Sequence, residues 1–338
     1  MNWLRKFASF AALCGLLHLG THAQTPSHRT LARMNTVITP VQLKTLLDAR
    51  QPRVVILETS WAKADDAKEY RTGHLPGALH LNTDELENGY PRWLLRPVGE
   101  LHSVIGAHGI TPATTVIVYS HQTIAAARVW WVLSYAGVAD VRLLDGGFAA
   151  WKAAGYSVET KVNVPEPVRF SAKPRTEWLA TAAYVSARLN NPQARLGDVR
   201  SRDEFIGAKS GYDYIDFKGR IPGAVALGDA DDAALLYVNS DGTLRKPEEI
   251  AALWQQAGLA NAGRMDDGRE VIFYCGSGWR SSLAFLYAHW LGYERIRNYS
   301  DGWSGWSTQY VPDKNAKGAT PGWRQQRTNR PIETGNKP

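Results

Sequence analysis

Cysteine is almost absent from this chain: Cys14 and Cys275 are the only two in 338 residues. That scarcity excludes a disulfide-stapled scaffold. Long apolar runs are missing too. The longest begins at Phe7 and ends at Leu19, 13 residues against the roughly 20 a membrane helix needs. Arg5 and Lys6 precede it and Thr21-His22-Ala23 follows it, so residues 1–23 read as a cleavable export signal ending before Gln24. An uncleaved anchor is the alternative. Leu13 precedes Cys14 where a lipoprotein signal wants a small residue. Cleavage leaves Cys275 as the only thiol of a periplasmic or secreted protein. A lone thiol cannot form an internal disulfide in an oxidising compartment.

Charge of one sign is also missing from the body of the chain. The formal net charge is +7, but it concentrates at the two ends. From Val311 onward six basic residues face two acidic ones, and the signal is purely basic. The remainder is nearly neutral, which excludes an electrostatic case for a nucleic-acid partner. The tail, residues 312–338, is rich in Pro, Gly and charge and poor in large apolar residues, so it is expected to be disordered or loosely attached. With 44% hydrophobic and 21% charged residues, the rest has the composition of a globular protein, long enough for two domains.

What the chain does contain is an internal repeat. An offset of 155 relates Tyr119 to Tyr274, Gly137 to Gly292, Arg142 to Arg297, Phe148 to Trp303 and Trp151 to Trp306. An ungapped match of that length points to duplication. Earlier in each half, Gly73-His74-Leu75-Pro76-Gly77-Ala78 answers Gly219-Arg220-Ile221-Pro222-Gly223-Ala224. Both halves alternate helix and strand. Thr39 and Thr181 are N-caps, the first with Pro40 behind it. Strands are expected at Val54–Leu57, Val116–Tyr119 and Val141–Leu144, and again at Leu196–Val199, Val271–Tyr274 and Arg295–Tyr299. Helices are expected at Ile124–Ala136 and Leu283–Leu291. The fold class is therefore α/β, two tandem domains, each a mainly parallel sheet covered on both faces by helices. The domains are 36–155 and 178–311, after an N-terminal extension at 24–35, with a proline-bearing linker at 156–177.

Ligands of open α/β sheets bind at the carboxyl ends of the strands. Cys275 sits at such an end, opening Cys275-Gly276-Ser277-Gly278-Trp279-Arg280-Ser281-Ser282 before a helix. A thiol there faces backbone N–H groups and the positive end of a helix dipole, and both favour thiolate. The matching residue of the first half is Ser120, followed by His121-Gln122-Thr123. The scaffold was kept twice and the chemistry once.

The chain resembles the tandem-domain rhodaneses, the thiosulfate and 3-mercaptopyruvate sulfurtransferases. The likeness runs from about residue 36 to 310. It is carried by the Cys275 loop, by Gly73–Ala78 with its weaker copy, and by the closing segments Leu144-Asp145-Gly146-Gly147-Phe148 and Tyr299-Ser300-Asp301-Gly302-Trp303. Cys-Gly-Ser-Gly is similar to the mercaptopyruvate branch, whereas Gly-Trp-Arg looks more like exported bacterial thiosulfate enzymes. The resemblance implies sulfane-sulfur transfer through a Cys275 persulfide, in ping-pong fashion, with no metal or organic cofactor. Its partners are a small anionic donor, thiosulfate or mercaptopyruvate, and a thiol or cyanide acceptor. Gly276, Ser277, Gly278, Trp279 and Arg280 form the binding loop, with Arg280 holding the donor's anionic end. It also implies residues supporting the site, Ser277, His74 and Asp65 as a proton-handling set; Arg200, Arg202 and Lys209 are the candidates for a further cation gripping the donor. The alternative for His74 is a structural role in its turn. One departure stands out. After Asp198-Val199-Arg200 the family usually places an arginine before the aromatic residue, but here Glu204 precedes Phe205. That puts efficient use of mercaptopyruvate in doubt.

Two rival functions remain. Cysteine phosphatases place arginine six positions after the cysteine, whereas Arg280 is five after Cys275, a loop better sized for one sulfur atom than for a phosphate. A non-enzymatic sulfur carrier or binding module is the other, since the first half shows that the scaffold persists without its thiol.

Overall fold

The computed structural model describes residues 35–49, 53–89, 91–228, 233–260, 267–313 and 322–336. The leader expected at 1–23 lies outside them, as does nearly all of the extension at 24–35. No helix among the described residues is long and apolar enough to cross a membrane.

The first half is built on five parallel strands in the order β1-β7-β6-β2-β3. These are β1 (Val37–Ile38), β2 (Val54–Ser60), β3 (Leu79–Asn82), β6 (Thr115–Tyr119) and β7 (Asp140–Leu144). A small antiparallel pair, β4 (Glu87–Asn88) and β5 (Leu94–Leu95), leaves the sheet after β3. Helices α1 (Pro40–Asp48), α2 (Lys68–Thr72), α3 (Val98–Ala107), α4 (Thr123–Tyr135) and α5 (Gly147–Ala153) complete the domain. Thr39 caps α1 as its sequence suggests, and Gln42 closes a capping box with it.

The second half has four parallel strands in the order β11-β10-β8-β9. They are β8 (Ala194–Asp198), β9 (Ala224–Ala226), β10 (Glu270–Tyr274) and β11 (Ile296–Asn298). Its helices are α6 (Ala182–Ser186), α7 (Arg202–Ile206), α8 (Pro247–Gln256), α9 (Trp279–Trp290) and α10 (Gly302–Ser307). Helix α9 starts four residues before the expected Leu283, because the loop after Cys275 turns into helix at once. Apart from an isolated bridge of Glu159 to His74 and the single turn Thr176–Trp178, the linker carries no regular secondary structure.

The duplicated helices α4 and α9 pack against each other between the two sheets. Trp130 and Trp131 meet Phe285 there, at ring-centroid distances of 6.4 and 6.3 Å. Buried residues of both domains, from Leu57 and Val129 to Phe273 and Leu286, join one continuous core. The domains are thus fused through burial of apolar surface, the dominant favourable contribution to folding.

The expected loose tail is corrected in part. Strand β13 (Gly322–Arg327) pairs antiparallel with β12 (Thr308–Asp313). Beyond it, Glu333 exchanges backbone hydrogen bonds with Arg220, and Trp306 Nε1 donates to the carbonyl of Pro331 at 2.9 Å. Few apolar side chains are involved. Backbone pairing and ion pairing hold this segment, and composition does not register either.

Candidate active site

Strand β10 is buried along its whole length, and Cys275 follows it with no solvent exposure. The loop curls around the sulfur: the N–H of Gly278 donates to Cys275 Sγ at 3.2 Å. The Ser281 hydroxyl, bonded to Asn298 at 2.7 Å, stands 3.6 Å from the same sulfur. Gly278 has φ +87°, and a Cβ there would lie 2.5 Å from the carbonyl oxygen of Ser300. Only glycine fits both constraints. The closing segment braces the loop from behind. The N–H groups of Trp303 and Ser304 donate to the carbonyls of Cys275 and Gly276 at 2.7 and 2.9 Å. In the first domain Gly147 presses on the carbonyl of Ser120 as Gly302 presses on that of Cys275, with a Cβ 2.4 and 2.5 Å away respectively.

Tyr212 lies across the loop. A Cβ on Gly276 would fall 2.0 Å from its ring. The Gly276 N–H donates to Tyr212 Oη at 3.1 Å, and Arg280 donates to the same oxygen. The phenol's own proton has no acceptor among the described residues. Burial, with Cys275 beside it, pushes the Tyr212 hydroxyl far above its ordinary range, so it stays protonated. Tyr214, whose hydroxyl is 3.3 Å from that of Ser277, is pushed by burial up to about 12.

Arg280 is positioned at the loop, as the sequence suggests, but it is already engaged. Its Nη1 and Nη2 donate to the two carboxylate oxygens of Glu204 at 2.9 and 2.8 Å. Glu204 is 2% exposed and also completes the capping box of α7 with Ser201. Burial alone would raise its pKa, but the bonds from Arg280 hold it below the usual carboxylate value. A departure from the family's arginine thus becomes the partner of the loop's own arginine.

The supporting residues fall elsewhere. His74 is buried in its turn, with Nδ1 2.8 Å from the carbonyl of Tyr70 and Nε2 3.5 Å from Glu159. Its ring stacks on Tyr70 with centroids 3.8 Å apart. Asp65 is exposed and its carbonyl accepts from Arg71 at 2.9 Å. No hydrogen bond among the described residues joins either of them to Ser277. Arg200 is fully buried, held by Asp198 at 2.6 Å and by the carbonyl of Gly219 at 2.8 Å.

The structure adds residues that the sequence reading missed. Glu87, on β4 of the first domain and 4% exposed, accepts from Arg128 Nε and Nη2 at 3.0 and 2.8 Å. Trp279 Nε1 donates to the same Oε1 at 2.9 Å. Arg128 reaches on to the Ser300 hydroxyl, 3.0 Å away in the second domain. Burial raises the Glu87 carboxyl more than Arg128 lowers it. Trp61 stacks on Trp279, 5.3 Å between centroids and 4° between planes. One signal was readable: the 155 offset sets Arg128 against Leu283, an arginine where the repeat has leucine.

Between the domains a cavity of about 640 Å³ opens onto the loop. Trp61, Asp84, Glu87 and Trp93 form its first-domain wall, and Lys209, Tyr212, Tyr214, Ser277, Trp279 and Arg280 face them. A second cavity of about 580 Å³ lies under the C-terminal segment, beside Asp301 and Arg330, away from the thiol.

A family model described as a rhodanese-like domain matches residues 39–154 and 181–309. Thiosulfate sulfurtransferase YnjE of Escherichia coli is 36% identical over 75% of this chain, an alignment spanning 57% of YnjE. A probable 3-mercaptopyruvate sulfurtransferase of Pseudomonas aeruginosa is 32% identical over 76% of this chain and 90% of its own length. Mouse thiosulfate sulfurtransferase is 27% identical over 78% and 88%. Among solved structures, YnjE matches with TM-score 0.74 at 31% identity, covering 90% of this chain and 70% of that one. Wild-type EanB matches with TM-score 0.76 at 29% identity, covering 91% and 71%.

Proposed function

This chain belongs to the rhodanese family of sulfurtransferases, two such domains in tandem, and on that premise we propose that it carries sulfane sulfur from thiosulfate through Cys275 to a nucleophilic acceptor. The observation that supports this reading is the Gly278 N–H on Cys275 Sγ at 3.2 Å, at the first turn of a 12-residue helix. Backbone N–H groups there stabilise a negative sulfur without giving up a proton. The Cys275 thiolate attacks the outer sulfur of thiosulfate. The sulfur–sulfur bond of the donor breaks, sulfite leaves with the electron pair, and Cys275 becomes a persulfide anion. An acceptor then attacks the terminal sulfur and Cys275 returns to thiolate. Tyr212 packs on the loop beside the buried sulfur. Its unshared proton then serves the negative terminal sulfur.

Mass spectrometry of the intact protein after incubation with thiosulfate tests the assignment. One sulfur atom is gained on Cys275, and Cys275→Ser neither gains it nor turns over thiosulfate with cyanide. No gain with any of several sulfane donors overturns the reading. Mercaptopyruvate is the second donor, favoured by the Cys-Gly-Ser-Gly start of the loop and opposed by the pairing of Arg280 with Glu204. A keto acid's carboxylate must compete with that bidentate pair. From the leader sequence we also propose that the protein is exported, to the periplasm or out of the cell, with a mature chain beginning at Gln24. N-terminal sequencing of the exported form reads this directly.

A further inference from the structure

The cavity at the Cys275 loop is far larger than thiosulfate and is not lined for an anion throughout. At about 640 Å³ it falls in the range that encloses a small organic molecule. Its two walls differ in chemistry. The second-domain wall brings Lys209 and the Arg280–Glu204 pair beside the sulfur loop. The first-domain wall carries Asp84, Glu87, Trp61 and Trp93, and Trp61 extends across the boundary by stacking on Trp279.

Glu87 is the informative residue. It is 4% exposed, yet all three of its hydrogen bonds arrive at one oxygen, Oε1. Its other oxygen, Oε2, has no partner among the described residues, and the side chain lines the cavity. Asp84 lines it too, with an exposed carboxylate that accepts no hydrogen bond from the described residues. Oε2 of Glu87 is therefore open to the cavity and free to accept from a bound molecule, and tryptophan faces attract cations. Carboxylates beside indole rings make a site for positive charge.

We propose that this cavity is the acceptor site of the transfer and takes an organic thiol bearing a cationic group, the cation resting against Asp84, Glu87 and the Trp61–Trp279 stack while the thiolate points past Arg280 to Cys275. The inference rests on sulfur transfer through Cys275. Thiosulfate, a small dianion, needs only the side of the cavity with Lys209 and Arg280. The acceptor is bipolar and spans both walls. Its thiolate attacks the terminal sulfur of the Cys275 persulfide, the bond to Sγ breaks, and the pair returns to Sγ. The acceptor leaves as its own persulfide anion, with no net redox change and no proton demanded.

The test compares thiocholine with 2-mercaptoethanesulfonate, thiols of similar length and opposite charge, with thiosulfate as donor. Each rate is divided by that thiol's rate with a small-molecule disulfide, which removes intrinsic nucleophilicity. The expected result is a kcat/KM at least tenfold higher for thiocholine, with the preference cut at least threefold in both Asp84→Asn and Glu87→Gln. Asp84→Asn is the safer variant, because that side chain supports no other described residue. Equal or better use of the anionic thiol overturns the proposal, as does a preference unchanged in both variants. If Cys275 gains no sulfur from thiosulfate, the transfer reading fails instead. Tryptophan fluorescence titration then decides the cavity alone: choline binds saturably and its uncharged isostere 3,3-dimethylbutan-1-ol does not, whereas equal binding of the two sinks it.

Discussion

At the scale of single residues, the site is defined as much by what is absent from a side chain as by what is present. Gly278 gives its N–H to the sulfur and sits at φ +87° with the Ser300 carbonyl where a Cβ would go. Gly278→Ala therefore meets two penalties, backbone strain of about 1–3 kcal/mol and a clash that shifts the loop. The expected outcome is a fall in the rate of Cys275 persulfide formation of at least tenfold, read by stopped reaction and mass spectrometry, with a melting temperature only modestly lower. Glu204 shows the other side of residue-level reading. Its presence before Phe205 was legible, and its consequence was not, because pairing with Arg280 depends on a contact between residues 76 positions apart. Sequence alone names the charge and leaves its partner open.

Among elements, the turn after β2 links buried titration to the cavity wall. His80 on β3 is buried with Glu58 Oε2 at 2.7 Å from Nδ1 and the carbonyl of Ala62 at 2.9 Å from Nε2. Both ring nitrogens face acceptors, so both carry protons when the two bonds are made. Burial by itself would lower the His80 pKa. The bonds to Glu58 and Ala62 outweigh it, and the net direction is up from 6.5. The folded state thus binds the proton more tightly than the unfolded one. Its stabilisation is complete below about pH 6.5 and is lost as pH rises through the folded value, with a slope of at most about 1.4 kcal/mol per pH unit. Ala62, which accepts the bond from His80 Nε2, sits at φ +78° next to Trp61, whose ring lines the cavity. Denaturant midpoints measured between pH 6 and 9 should decline for the native chain, and His80→Gln should flatten that decline. An unaltered slope in the variant would assign the effect to other groups.

For the molecule as a whole, the repeat was the most legible feature, since duplicated strands and helices keep their apolar periods and their glycines. The closing glycines 147 and 302 even press on equivalent carbonyls. What escaped were groups acting between the halves, such as Glu87 and Arg128, because no local pattern marks a residue whose partner lies in the other domain; Tyr212 escaped because it meets the Cys275 loop from 64 positions away in the same domain. The C-terminal segment escaped for another reason: β13 is mostly exposed and is held by backbone pairing. Arg220, 1% exposed, takes its contacts with Glu333 and Gly335 from that segment. Deleting residues 322–338 strips a buried guanidinium of its carboxylate. The expected loss in melting temperature is about 5 °C or more, at about 2–4 °C per kcal/mol for domains of 150–250 residues. A chain that melts unchanged without the segment would show that the ion pair and the hairpin are only decorations. The contrast between Arg128 and Leu283 carries a broader consequence. In a dimer of identical subunits, an arginine gained on one interface helix appears on both, and a change that suits one site alters its twin. Fusing the two copies into one chain removes that constraint. On the proposed assignment, one half is free to drift toward substrate choice while the other is held to sulfur chemistry, and acceptor preference can then change through residues that never touch the reacting atoms.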